Sequence, residues 1–314
     1  MLKLIKGIKA LLGFPFYVYK NYQLQKKVYQ LQKDEREIYQ LQKDEVSKLL
    51  EIDRKIDLIH HLQIEGQVKL DFLSRFISPG CVKLTLPKEL RPEHPENLIR
   101  IGARGDGGYV LPASVLAATE VLVTYGIAAD YSFEQEFQKR SGARVVAYDE
   151  STLGHFADTN FHDRFFQFFN GVQSEFIPKF IGKKEDMISV RETLLPHKDK
   201  KICLKFDVEG AEYDVWDELE NLPDNVIAIV CELHQIHRYA EKVVKWIEAC
   251  HLDLVHIHAN NAEIFMPDHK LIEFTLVHPD YYVSSGEQDI KYPISGLDYR
   301  NVKERRDYDE IEFL

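Results

Sequence analysis

The sequence predicts an α/β fold, a mostly parallel Rossmann-like sheet covered by helices and preceded by an amphipathic helix and a coiled coil. Three observations carry this reading. From about residue 121 onward, short apolar runs alternate with longer amphipathic stretches. Glycine and carboxylate residues cluster just after those runs, where a parallel sheet places ligands. Residues 21–63 follow a different, heptad-like period.

The 314 residues carry a formal net charge of -11, which argues against a nucleic-acid partner, since such proteins usually present a basic face. Cys81, Cys203, Cys231 and Cys250 show no CxxC spacing, and Cys203 and Cys231 sit in apolar runs, so buried free thiols are expected. No run of about 18 apolar residues is present, so no transmembrane helix is expected and the compartment reads as cytoplasmic.

Residues 1–20 interleave Lys3, Lys6 and Lys9 with Leu2, Leu4, Ile5, Ile8, Leu11 and Leu12. A secretory signal would separate its charges from an unbroken apolar core, whereas this spacing gives a helix with one basic and one apolar face. Such a helix suits the anionic inner face of a membrane, with docking on protein as the alternative. Residues 21–63 repeat Tyr-Gln-Leu-Gln-Lys at Tyr22, Tyr29 and Tyr39, with seam positions such as Leu24, Leu31, Leu49, Ile52 and Ile59. That seam predicts a homo-oligomeric coiled coil, or else a helix folded on its own domain. Residues 64–97, with Pro79, Pro87, Pro92 and Pro95, read as a connector, and residues 98–314 as the α/β domain.

Within that domain the strands are expected at 121–125, 143–148, 165–169, 202–206, 226–231, 252–257 and 271–277. Helices are expected at 131–141, where Ser132 and Gln135 have capping-box spacing, at 212–220 and at 238–250.

The residues after the strands carry the chemistry. Tyr125 and Gly126 open the first turn, and Gly126 permits a tight bend and close approach to a ligand. Asp149 follows the second strand about twenty residues later, where a carboxylate can accept from both hydroxyls of a ribose. The fourth strand runs into Asp207, Glu209 and Glu212, and the fifth into Glu232 and His234. Neighbouring strand ends would bring Glu209, Glu232 and His234 together as a carboxylate–imidazole site able to take a proton from a hydroxyl. His256 and His258 share one face of the next strand, which ends in Asn260 and Asn261. A divalent metal on Glu209, His234 and His258 is chemically conceivable but not favoured, because no HxxxH or multi-carboxylate signature supports it.

Residues Leu204 to Glu212 (LKFDVEGAE) and Val230 to His234 (VCELH), with Asp106 to Val110 (DGGYV) and His256 to Asn261 (HIHANN), resemble the FkbM-type S-adenosylmethionine-dependent methyltransferases, in particular a subgroup associated with surface glycans. The resemblance spans about Leu98 to Pro293 and leaves out residues 1–78. It implies a class I methyltransferase fold, S-adenosylmethionine as cofactor, and methyl transfer to a sugar hydroxyl of a glycan or glycan precursor. Cofactor contacts would then come from Tyr125, Gly126, Asp149 and Asp207, with Asp130 serving the methionine amino group and Arg104 its carboxylate. His234 would be the general base, with Glu209 or Glu232 orienting it. His256, His258, Asn260 and Asn261 would face the acceptor. The first-strand turn, Thr124 to Asp130 (TYGIAAD), departs from the family in lacking an acid before the glycine. That departure also allows a non-catalytic scaffold in a membrane-associated glycan-assembly complex. A nicotinamide-dependent oxidoreductase is disfavoured because the glycines that approach a pyrophosphate are missing.

Overall fold

The computed structural model describes residues 82–264, 270–286 and 290–314. The expected amphipathic helix (1–20) and coiled coil (21–63) lie outside the described residues. The chain divides into two compact units, Met1–Ser78 and Pro79–Leu314, and the described residues belong to the second.

That unit is built on a seven-stranded sheet. Its strands are β4 (Val121–Tyr125), β5 (Arg144–Tyr148), β6 (Ser174–Ile177), β7 (Ile202–Phe206), β8 (Val226–Leu233), β9 (Asp253–Asn260) and β10 (Leu271–Val277). In space they run β6-β5-β4-β7-β8-β10-β9. β4 to β8 are parallel, and β10 is antiparallel to both β8 and β9. The mostly parallel, Rossmann-like sheet expected from the sequence is therefore present. The chain steps outward from β4 to β6, then returns to β7 on β4's other side. This reversal opens a crevice at the carboxyl ends of β4 and β7.

Both faces of the sheet are covered, so its strands are apolar throughout and alternate residues feed separate cores. Val121, Val123 and Tyr125 pack with Leu204, Phe206 and Trp216 on one face. Leu122, Cys203, Val145 and Ala147 pack with Phe133, Phe137 and Phe165 on the other. Cys203 and Cys231 are buried and free, as expected.

The helices are α1 (Ala113–Ala118), α2 (Ser132–Ser141), α3 (Thr159–Phe169), α4 (Val190–Leu194), α5 (Trp216–Leu219) and α6 (Ile236–Ala249). The strand expected at 165–169 is instead the end of α3. Phe161, Phe165 and Phe169 recur every four residues on its buried face, and Asp158 caps it by accepting from the Asn160 and Phe161 amides. The strand in question is β6, a few residues on. The capping box expected at Ser132 and Gln135 is also absent, because Asp130 Oδ1 accepts from the Ser132 amide. A complete capping box occurs at Ser189 and Glu192, at the start of α4. The helix expected at 212–220 is a 3₁₀ turn, Ala211–Asp214, followed by the short α5.

Two additions frame this sheet. β1 (Lys83–Leu86), inside the stretch read as a connector, pairs in parallel with the C-terminal strand β11 (Glu310–Phe313) and buries Leu84 and Leu86. β2 (Leu98–Gly102) and β3 (Gly108–Pro112) form an antiparallel hairpin whose tip, residues 103–107, reaches the crevice. Among the described residues, no helix is long and apolar enough to cross a membrane.

Candidate active site

A cavity of about 550 Å³ occupies the crevice. Its wall includes Gly126, Asp130, Asp149, Asp207 and Glu209 from the strand ends, Asp106 and Gly107 from the hairpin tip, and Phe180, Ile181 and Met187 from the loop after β6. The lining thus combines carboxylates from the strand ends and hairpin tip with apolar side chains from the loop after β6.

Gly126 has φ +71, and a Cβ there would lie 1.5 Å from the Asp207 carbonyl oxygen, so no other residue fits. Ala128, Glu209 and Gln235 are non-glycine residues at positive φ, and they follow β4, β7 and β8. Such strained backbone concentrates where a site over-determines it. Asp149 braces the first turn. Its Oδ2 accepts from the Ile127 and Ala128 amides at 2.9 and 2.7 Å, and its Oδ1 accepts from the Ser151 amide and hydroxyl at 2.8 and 2.7 Å.

Lys205 anchors the floor. As the alternate neighbour of Cys203 it points to the α2 face, where Nζ donates to the Gly126 carbonyl at 2.9 Å and lies 3.6 Å from the buried Glu134. Burial alone would lower its pKa. Glu134, Asp207, Asp130 and Asp149 outweigh that and raise it, so the amine stays charged.

Asp207 receives a hydrogen bond from Tyr109 Oη at 3.0 Å on Oδ2, while its buried Oδ1 has no partner among the described residues. Burial raises its pKa, Lys205 opposes, Glu209 adds and the Tyr109 bond and His234 oppose. The balance stands at about 6. Beside it, burial pushes Glu232 well above the usual carboxylate range, and Asp207 and Glu273 push it further.

His234 is gathered with the expected carboxylates. Its Nε2 is 3.4 Å from Glu209 and 3.7 Å from Glu232. Its Nδ1 is 3.0 Å from the buried Glu212, a partner not foreseen as such although it lies within the LKFDVEGAE stretch. With a carboxylate at each nitrogen, both nitrogens act as donors. Burial would lower the pKa, but the bonds to Glu209 and Glu212 raise it to about 10. His234 is therefore a cation at neutral pH, and the general-base role expected from sequence does not fit it. Asp207, with a free oxygen and a pKa near the working range, fits better.

Several expected contacts lie elsewhere. The Tyr125 ring packs between Tyr148 and Phe206 and bonds Thr193, and it does not line the cavity. Arg104 is exposed at the hairpin tip, with its guanidinium 5.7 Å from the Tyr299 ring centre, and does not line the wall. The four residues expected to face the acceptor are buried and engaged. His256 pairs with Asp298 at 3.0 Å and His258 with Glu273 at 3.1 Å. Asn260 donates to Glu232 at 2.8 Å and accepts from the Ala262 amide. Asn261 bonds the backbone of Val302 and Arg306. His256 and Asn261 thus tie the C-terminal segment to the sheet, and Asn260 orients Glu232. The shared strand face of His256 and His258 says nothing of the segment that later covers it. Among the described residues no cluster of three or more His, Cys, Asp or Glu is arranged to hold a metal.

Sequence reasoning also missed Tyr109, Lys205 and the Phe180–Met187 loop. The first two lie inside the DGGYV and LKFDVEGAE stretches, which carry the family resemblance without marking these two side chains. The loop has no period or motif to mark it.

No protein-family model matches the chain, and no curated protein matches it. Solved structures similar to parts of it include precorrin-6y C5,15-methyltransferase from Geobacter metallireducens GS-15, with 15% identity over 53% of this chain and 85% of that one and a TM-score of 0.33. An rRNA methylase from Streptococcus thermophilus shows 10% identity over 53% of this chain and 91% of that one, with a TM-score of 0.31. At these scores the similarities carry no functional argument.

Proposed function

We propose that this chain is an S-adenosylmethionine-dependent O-methyltransferase acting on a sugar hydroxyl of a glycan or glycan precursor. The observation that carries the proposal is the cavity at the β4/β7 switch point, which joins apolar side chains to a bank of carboxylates around the Asp207 oxygen that no described residue bonds. These residues fit the cofactor. Phe180, Ile181 and Met187 suit a flat apolar base, and the backbone at Gly126 permits close approach. Asp130 and Asp149 suit an ammonium group and ribose hydroxyls, and the Ser151 bonds to Asp149 Oδ1 are the ones a ribose could exchange. The excess of carboxylates over Lys205 and His234 favours a positively charged ligand.

When bound, the cofactor supplies an activated methyl group. The chain's own work is to hold a hydroxyl in line, exclude water and accept one proton. Asp207 Oδ1 takes that proton. His234, clamped by Glu209, Glu212 and Glu232, stays protonated and offers a fixed positive charge beside the reaction. Glu232 is held by Asn260.

The reading extends to the N-terminal region. Residues 1–20 are proposed to contact an anionic membrane from the cytoplasmic side, and residues 21–63 to form a homo-oligomer. Incubating full-length protein with methyl-labelled S-adenosylmethionine and a panel of neutral glycans tests the acceptor class. Label recovered as an O-methyl sugar is expected. Cofactor binding with no transfer to any glycan, but transfer to another acceptor class, would overturn it.

A further inference from the structure

The hairpin β2–β3 lies outside the seven-stranded sheet, yet it sends one side chain into the middle of the acidic floor. Tyr109 is buried, with 3% of its surface exposed, and its ring packs edge-to-face on Phe133 at 5.4 Å between centres. Its hydroxyl donates to Asp207 Oδ2 at 3.0 Å. Lys205 Nζ lies 5.8 Å from the centre of the same ring. The phenol can only be a donor here, because Asp207, Glu232 and Glu273 surround it and burial disfavours the phenolate.

The groups that face Asp207 come from four directions. Lys205 lies on its own strand, Glu209 on the following turn, Glu232 and His234 at the end of β8, and Tyr109 on β3. The charged groups act on the carboxylate through their fields, which set its proton affinity but not its orientation. Of these residues, only Tyr109 donates a hydrogen bond to it.

We infer that Tyr109 is a positioning residue for Asp207: its hydroxyl occupies Oδ2 and so leaves the buried Oδ1, which no described residue bonds, as the oxygen that takes a proton. This rests on the reading of Asp207 as proton acceptor. It assigns the DGGYV stretch a role at the reacting end of the cavity, delivered by an added hairpin and not by the sheet itself. The bond also favours the ionised carboxylate, so it holds Asp207 ready to accept a proton at lower pH than its neighbours would allow.

The test is Tyr109→Phe in the full chain, which keeps the ring on Phe133 and deletes only the hydroxyl. The Asp207 carboxyl carbon is followed by carbon-13 NMR against pH without ligand, assigned by difference from Asp207→Asn. The wild-type midpoint is expected near 6, and the variant's is expected to rise by about half a unit or more. A merely structural role would lower the melting temperature and leave the midpoint in place, and that result overturns the inference. So does a midpoint that moves downward. S-Adenosylmethionine binding by the wild type is measured separately by calorimetry. Its absence would remove the methyltransferase reading while the midpoint shift would still report the Tyr109–Asp207 contact.

Discussion

At the scale of single residues, the site is governed by which groups keep their protons. His234 has a folded-state pKa of about 10 against about 6.5 for an unperturbed imidazole. A raised value means the folded chain binds the proton more tightly than the unfolded one. Its stabilisation is therefore full below about pH 6.5 and lost as pH rises through about 10. Comparing wild type with His234→Gln by thermal melting should show a clear deficit at pH 6 that narrows towards pH 10. A deficit independent of pH would mean that His234 is not the cation described. Asp207 predicts the opposite limb in catalysis. Turnover should rise as pH passes about 6, and Asp207→Asn should lose that limb along with most of the rate. Gly126→Ala meets both a positive φ and the Asp207 carbonyl, so its soluble fraction should fail to bind cofactor in the same calorimetric assay.

At the scale of elements, the aromatic face of α3 offers the sharpest stability test. Phe165 is fully buried and touches Phe161, Phe169 and Phe176. Phe165→Ala should cost about 3–5 kcal/mol in chemical denaturation. The same helix shows where sequence reading stops. A run of four phenylalanines within five residues, Phe165 to Phe169 with Gln167 between, looks like a buried strand when taken as a window. Its helical nature depends on Phe161 one turn earlier and on the Asp158 cap. By contrast β4, β7 and β10 were legible to within a residue, because parallel and interior strands are short, apolar and bounded by turn residues. The gathering of Glu209, Glu232 and His234 was legible for the same reason: neighbouring parallel strands end at one edge. What was hidden is long-range. His256 on its strand and Asn261 just past the strand's end look free until Asp298 and Val302 cover them, and Tyr109 reaches Asp207 from almost a hundred residues away. Neither contact leaves a local pattern.

At the scale of the whole molecule, the second unit is closed by its own end. β11 pairs with β1, Lys83 bonds both Glu310 and Glu312, and Leu84, Leu86 and Ile311 join the core beneath. The exposed ion pairs contribute little. The burial of those apolar side chains dominates, so removing residues 310–314 should lower the melting temperature by several degrees. This closure and the hairpin β2–β3 leave an acidic cavity at the switch point among the strand ends, and the central claim is that S-adenosylmethionine binds there. The most direct measurement is calorimetric titration of the full-length protein with S-adenosylhomocysteine, alongside Asp149→Ala. That replacement removes the brace on the Ile127 and Ala128 amides as well as the carboxylate itself. Saturable one-site binding, weakened at least about tenfold in the variant, is the predicted result. Folded wild-type protein that takes up no ligand, or a variant that binds as well as wild type, would contradict it.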